Sequence, residues 1–156
     1  MAKTTTDILN TLNLLSWDVL ACGRQRGWVT AGDLSRFATS CLSSALSDEK
    51  LNAVAELASA EKLSATEVDQ SLSQLSPEPS RQECRELDCW RLAMLIKLQS
   101  QDLGWDEKVT RLEEVAAEFG YPADMQGCSR YSTGTSDPLD EMEWVIMNLR
   151  NQLGVG

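Results

Sequence analysis

The sequence predicts an all-α fold, a single-domain bundle of about seven helices spanning residues 1–156. Three observations carry that prediction. Every long segment repeats its apolar residues at spacings of three and four, and none alternates as a strand would. The helix starts are marked by side chains suited to accept from first-turn amides. The composition is that of an ordinary globular chain, 42% hydrophobic and 24% charged over 156 residues. A chain of that length buries roughly 68–70% of its unfolded surface and needs no staples.

The elements follow in order. The first helix is expected over 7–22, with Ile8, Leu12, Leu15 and Val19 on one face. Leu9, Leu14, Trp17 and Leu20 occupy its other faces, which predicts a central position. A second helix, 31–46, carries the stripe Leu34, Phe37, Ala38, Cys41, Leu42 and Ala45. A third, 48–61, carries Leu51, Val54, Ala55 and Ala58, and a fourth covers 65–75. Ser76-Pro77-Glu78-Pro79 reads as a rigid connector. The fifth helix, 81–101, has two apolar faces: Leu87, Trp90, Met94 and Leu98 on one, Cys89, Leu92 and Ile96 on the other. It is expected to be covered on both. The sixth, 106–119, presents Val109, Leu112, Val115, Ala116 and Phe119; the seventh, 138–153, presents Leu139, Met142, Ile146, Leu149 and Leu153. Trp144 falls off that last stripe.

Capping residues set the boundaries. Thr30 with Asp33, Ser64 with Glu67 and Ser80 with Glu83 have capping-box spacing, and Val29/Leu34 and Leu63/Val68 have the spacing of hydrophobic staples. The likeness of segments 28–34 and 62–68 follows from this shared helix-start chemistry. Asp137-Pro138 reads as an N-cap with proline at the first helical position. Gly120 closes the sixth helix as a left-handed terminator. Residues 120–136 form the one long connection, rich in Gly, Ser, Thr and Pro, with Tyr121 and Tyr131 in it. Long connections in compact domains are often functional.

The chemistry is narrowed by what is missing. There is no histidine, which removes Ser-His-Asp and Cys-His catalysis and His-ligated metal. The five cysteines, Cys22, Cys41, Cys84, Cys89 and Cys128, are odd in number and show no CxxC spacing. That argues for thiols in a reducing cytoplasm rather than a disulfide framework or zinc ribbon. Carboxylates such as Glu114 and Glu118 share a helical turn, yet no Glu-x-x-His motif exists to complete a di-iron site. No EF-hand loop, P-loop or GxGxxG occurs. Leu63–Leu75 resembles the start of a helix-turn-helix, but residues 65–75 hold no Lys or Arg to meet phosphates. The longest wholly apolar run, Leu92–Ile96, is far short of a membrane span. The N-terminal stretch lacks the apolar core of a signal peptide. The expectation is a cytoplasmic protein, not an enzyme, with no cofactor, no bound metal and no nucleic-acid or membrane partner.

Charge points to the partner. Basic residues number 14 and acidic residues 24, a net charge of −10. Residues 1–40 carry +1, and the three following segments, 41–80, 81–120 and 121–156, carry −5, −3 and −3. Such a field steers a cationic partner, although acidic surfaces also simply aid solubility.

Specific blocks extend the reading. Leu15-Ser16-Trp17 continues to Leu20 and Gly23, then to Gly27-Trp28-Val29-Thr30 and Asp33. Much later come Phe119-Gly120-Tyr121-Pro122-Ala123-Asp124-Met125 and Arg130-Tyr131. Together they resemble a bacterial family of small helical proteins of unknown function. Some of its members look like immunity proteins of polymorphic-toxin or contact-dependent growth inhibition systems. The sequence departs from that pattern after Tyr131, where Ser132-Thr133 replace an apolar residue and a proline. The resemblance implies a cytoplasmic antitoxin that binds the toxic domain of a delivered effector, often a nuclease such as an EndoU-type RNase. Carboxylates would stand in for nucleic-acid phosphates and occlude the toxin's basic cleft. The alternative is a non-catalytic helical adaptor or regulator of another basic protein. A metal-dependent enzyme built on the carboxylates is a third reading.

The candidate partner-binding residues are Asp124, Tyr131, Asp137, Asp140, Glu141 and Glu143. Tyr offers a large rigid surface with one polar tip. Leu139 and Met142 are expected to turn inward, leaving Asp140, Glu141 and Glu143 outside. The bland alternative is a solvated helix start whose acids favour the helix dipole. Asp48, Glu49, Glu56, Glu61, Glu67 and Asp69 form the rival patch.

Overall fold

The computed structural model describes residues 4–41, 48–75, 83–130 and 137–155. Among the described residues there are eight α-helices and no strand. They are α1 (Thr5–Thr11), α2 (Trp17–Gln25), α3 (Ala31–Cys41), α4 (Asp48–Leu57), α5 (Ala65–Leu75), α6 (Glu83–Ser100), α7 (Trp105–Glu118) and α8 (Pro138–Leu153). Two single 3-10 turns, Ala60–Lys62 and Ala123–Met125, complete the set. The fold class is thus the all-α one that the periodicity predicts.

The expected helix over 7–22 is in fact two helices. Leu12 ends α1, and Asn13 follows in the left-handed region at φ 59°. The Leu14 N–H then reaches back to the Leu9 carbonyl at 3.0 Å, the long return bond of a Schellman terminator. Three residues later Ser16, extended at φ −146°, accepts from the Val19 amide at 3.2 Å and starts α2. The apolar pattern runs round a single helix only when two helices with different buried faces are taken as one. Thr4 with Asp7 closes a capping box ahead of α1, at 3.1 Å in each direction.

Other boundaries fall where their caps place them. Thr30 and Asp33 exchange the reciprocal capping bonds, and Ser64 and Glu67 do the same. Asp137 accepts from the Leu139 amide at 2.9 Å with Pro138 in the first turn of α8. Gly120 sits at φ 73°. The expected Ser80–Glu83 box, the Pro77–Pro79 connector and the end of the second predicted helix, 42–46, lie outside the described residues.

The chain divides into two compact units. The middle unit, 15–86, contains α2 to α5. There α4 packs on α3 and α5, and α2 packs on α5. Leu20, Leu34, Ala38, Val54 and Leu57 are fully buried in it. Trp17 meets Phe37 edge-on with ring centroids 4.7 Å apart. The Ser35 hydroxyl donates to the Ala58 carbonyl at 2.5 Å, tying α3 to the end of α4.

The terminal unit comprises residues 1–14 and 87–156. It contains α1, most of α6, and α7 and α8, with α8 packed on α7 and on the Ala123–Met125 turn. Cys89, Trp90, Leu92, Ala93 and Leu95 of α6 are all fully buried, so this helix is covered on every side as its two apolar faces predict. Two charged residues of the same helix, Glu86 and Arg91, are buried as well. Arg91, 7% exposed at its side chain, pairs with Asp88 at 3.1 Å and with Asp124 at 2.5 Å. The second pair joins α6 to the 3-10 turn on which α8 rests.

A carboxylate face on the last helix

Four of the predicted site residues have a described place near the start of α8, and their surroundings differ sharply. Asp137 is the α8 cap, and its carboxylate also accepts from the Trp105 indole N–H at 3.1 Å. It is exposed but already engaged twice. Glu141 is half-buried rather than outward-facing. Its side chain lies over Gly127, so close that a Cβ there would come within 2.9 Å of Glu141 Cγ and Cδ. The expectation that Glu141 stands outside is therefore wrong. The 3-10 turn and the residues after it pack on α8 and draw Glu141 inward. Asp140 and Glu143 are exposed. Among the described residues neither has a hydrogen-bond or ion-pair partner.

The other two candidates separate from these. Asp124 is held by Arg91 and serves the fold. Tyr131 lies outside the described residues. Met142 is buried as expected, while Leu139 is only half-buried.

Two side chains that sequence reasoning left aside complete the face. Trp144 is 61% exposed and Met147 is 50% exposed. Residues three and four apart on a helix are neighbours, about 5–6 Å between Cβ atoms. Asp140 therefore adjoins both Glu143 and Trp144, and Met147 adjoins both Glu143 and Trp144. The signal was available: Trp144 misses the apolar stripe, and a large aromatic off the stripe must meet solvent or a partner.

Close by, the Phe119–Met125 block acquires a physical account. Phe119 caps α7, Gly120 turns left-handed, and the Tyr121 N–H returns to the Ala116 carbonyl at 2.7 Å. Tyr121 itself is left-handed at φ 56°, unusual for an aromatic residue, and 74% exposed. Pro122 then opens the turn that carries Asp124 and the buried Met125. A cavity of about 270 Å³ lies beside it, lined by Glu113, Tyr121, Pro122, Met125, Cys128 and Ser129. Glu113 there accepts from Arg130 Nε at 2.9 Å and from the Ser129 hydroxyl at 3.2 Å. Burial first, then the Glu141 and Asp124 carboxylates, push the Cys128 thiol up to about 11, against an opposing pull from Arg91. Such a thiol stays protonated near neutrality and is a poor nucleophile.

The rival patch in the middle unit is differently occupied. Glu56 accepts from the Ser71 hydroxyl at 2.5 Å, Glu67 caps α5, and Asp69 pairs with Arg24 at 2.7 Å. Glu61 is exposed beside Gly32. The side chains of Asp48 and Glu49 lie outside the description. A larger cavity of about 560 Å³ borders the Arg24–Asp69 pair, with Gln25, Val29, Leu72 and Ser73 among its walls.

Among the described residues no group of three or more Cys, Asp or Glu is arranged to hold a metal ion. No described helix is long and apolar enough to cross a membrane. No curated protein and no solved structure matches the chain. A family model does match, over residues 6–153, and its description is an uncharacterized protein conserved in bacteria. The chain belongs to that family, DUF2247.

Proposed function

We propose that this protein is a cytoplasmic immunity protein, a non-catalytic antitoxin that binds a basic toxin domain, such as the nuclease domain of a contact-dependent growth inhibition effector. The observation that carries the reading is the pair of unengaged carboxylates, Asp140 and Glu143, on an exposed face of α8 in a chain of net charge −10. A nuclease cleft is cationic because it must hold phosphates. An acidic inhibitor is steered to it and covers it. The blocks at 15–33 and 119–131 resemble a family some of whose members look like immunity proteins, which supports this reading. Inhibition is stoichiometric occlusion, with carboxylates occupying phosphate positions.

The test is affinity capture from the source bacterium, followed by identification and assay of the partner. The expected result is a basic nuclease domain whose cleavage stops at a one-to-one ratio of the two proteins. A partner without toxic activity would favour the adaptor reading, and an acidic partner would overturn both.

A further inference from the structure

We propose that the exposed face of α8 docks an arginine of the partner, its guanidinium laid on the Trp144 indole and bonded to Asp140 and Glu143. This rests on the immunity reading for the sign of the partner's charge, and goes beyond it in naming the side chain and its seat. Single exposed apolar residues are ordinary on protein surfaces. Here two large ones, Trp144 and Met147, are adjacent on one helix face at 61% and 50% exposure. Both carboxylates beside them lack a described partner. The only basic residue of α8 is Arg150, in its last turn and half-buried. The face therefore offers an aromatic plane with two acceptors beside it, and among the described residues no cation is bonded to either.

Arginine fits that set better than lysine. Its guanidinium is planar and weakly hydrated, stacks on indole, and donates to two carboxylates at once. An ammonium is compact and strongly hydrated, and gains less from the ring. Met147 would lie along the stem, where a polarizable thioether adapts to an aliphatic chain. Trp and Arg are also the residue types on which interface energy concentrates.

The test uses the whole protein and two fluorescently labelled peptides of equal charge, nona-arginine and nona-lysine, with affinity read by anisotropy at low salt. The arginine peptide is expected to bind about two- to fivefold tighter, the range of an exposed cation–π contact. In Trp144→Leu that difference should vanish, while Asp140→Asn/Glu143→Gln should weaken both peptides by about two- to tenfold. Circular dichroism of each variant should match the wild type, because all three positions are exposed. Equal affinity for the two peptides, or a preference that survives Trp144→Leu, would overturn the assignment. So would concentration-dependent self-association lost in Trp144→Leu, since a second copy of the chain would then occupy the face. No toxin enters this experiment. An arginine preference at Trp144 therefore stands even if capture finds no toxin, and a captured nuclease stands even if the preference is absent.

Discussion

The acids of α4 and α5 and the acids of α8 look alike in sequence and are used differently. In the middle unit, Glu56, Glu67 and Asp69 each accept from a neighbour, a hydroxyl, a backbone amide and a guanidinium in turn. In the terminal unit, Asp124 and Asp137 are likewise committed, but Asp140 and Glu143 are not. Counting charges cannot separate the two regions; following each carboxylate to its partner does. A carboxylate already bonded at home offers little to a visitor, because binding must first break that bond. The comparison also explains the orientation of Glu141. Two residues apart on a helix, Glu141 and Glu143 face different ways, one over Gly127 and one to solvent.

The largest contrast available lies between Trp90 and Trp144, two of the three tryptophans of the terminal unit. Trp90 is fully buried and Trp144 is 61% exposed. Trp90→Ala is expected to cost about 3–5 kcal/mol through lost burial and the cavity left behind. Trp144→Ala should cost less than about 1 kcal/mol, as surface changes do. Urea denaturation of both variants checks this. Similar losses in the two would mean that the α8 face is packed rather than open.

A smaller effect should divide the acidic regions themselves. Glu67→Ala/Asp69→Asn removes a capping-box acceptor and an ion pair, at about 1–2 kcal/mol together. Asp140→Asn/Glu143→Gln breaks no hydrogen bond or ion pair among the described residues and should stay within about 0.5 kcal/mol of wild type. Thermal unfolding of the two double variants gives the answer. Equal destabilisation would erase the distinction between committed and open carboxylates.

The smallest effect concerns the carboxylates near Cys128. Cys128 is held up to about 11, chiefly by burial and secondarily by Glu141 and Asp124. Glu141→Gln should therefore lower the thiol's titration midpoint only slightly, leaving it well above the ordinary 9.0. Alkylation rate against pH measures it. The linkage has a definite sign. The folded protein keeps its proton where the unfolded chain loses it, so this contribution to stability is full below pH 9.0 and is lost as pH rises through about 11. Cys128→Ala, which cannot titrate, should show a smaller decline across that window.

Much of the fold was legible because its signals are local. The α5 and α8 boundaries follow from Ser64-x-x-Glu67 and Asp137-Pro138, whose side chains satisfy amides within their own turn. The all-α class follows from a period that helix geometry alone imposes. The α1–α2 break was written in Asn13 and Ser16, yet it was hidden by apolar residues that bury in two different directions.

What the sequence by itself determined is therefore the helices, most of their caps, the buried face of α6 and the acidic charge. Tertiary structure alone decided which carboxylates remain available. Arg91 selects Asp124, Arg24 selects Asp69, and the packing of residues 123–127 on α8 half-buries Glu141. The pairs 91–124 and 24–69 join residues more than thirty positions apart, and no local pattern encodes such a meeting. The role of a charge depends on which distant group the folded chain brings within about 3 Å of it.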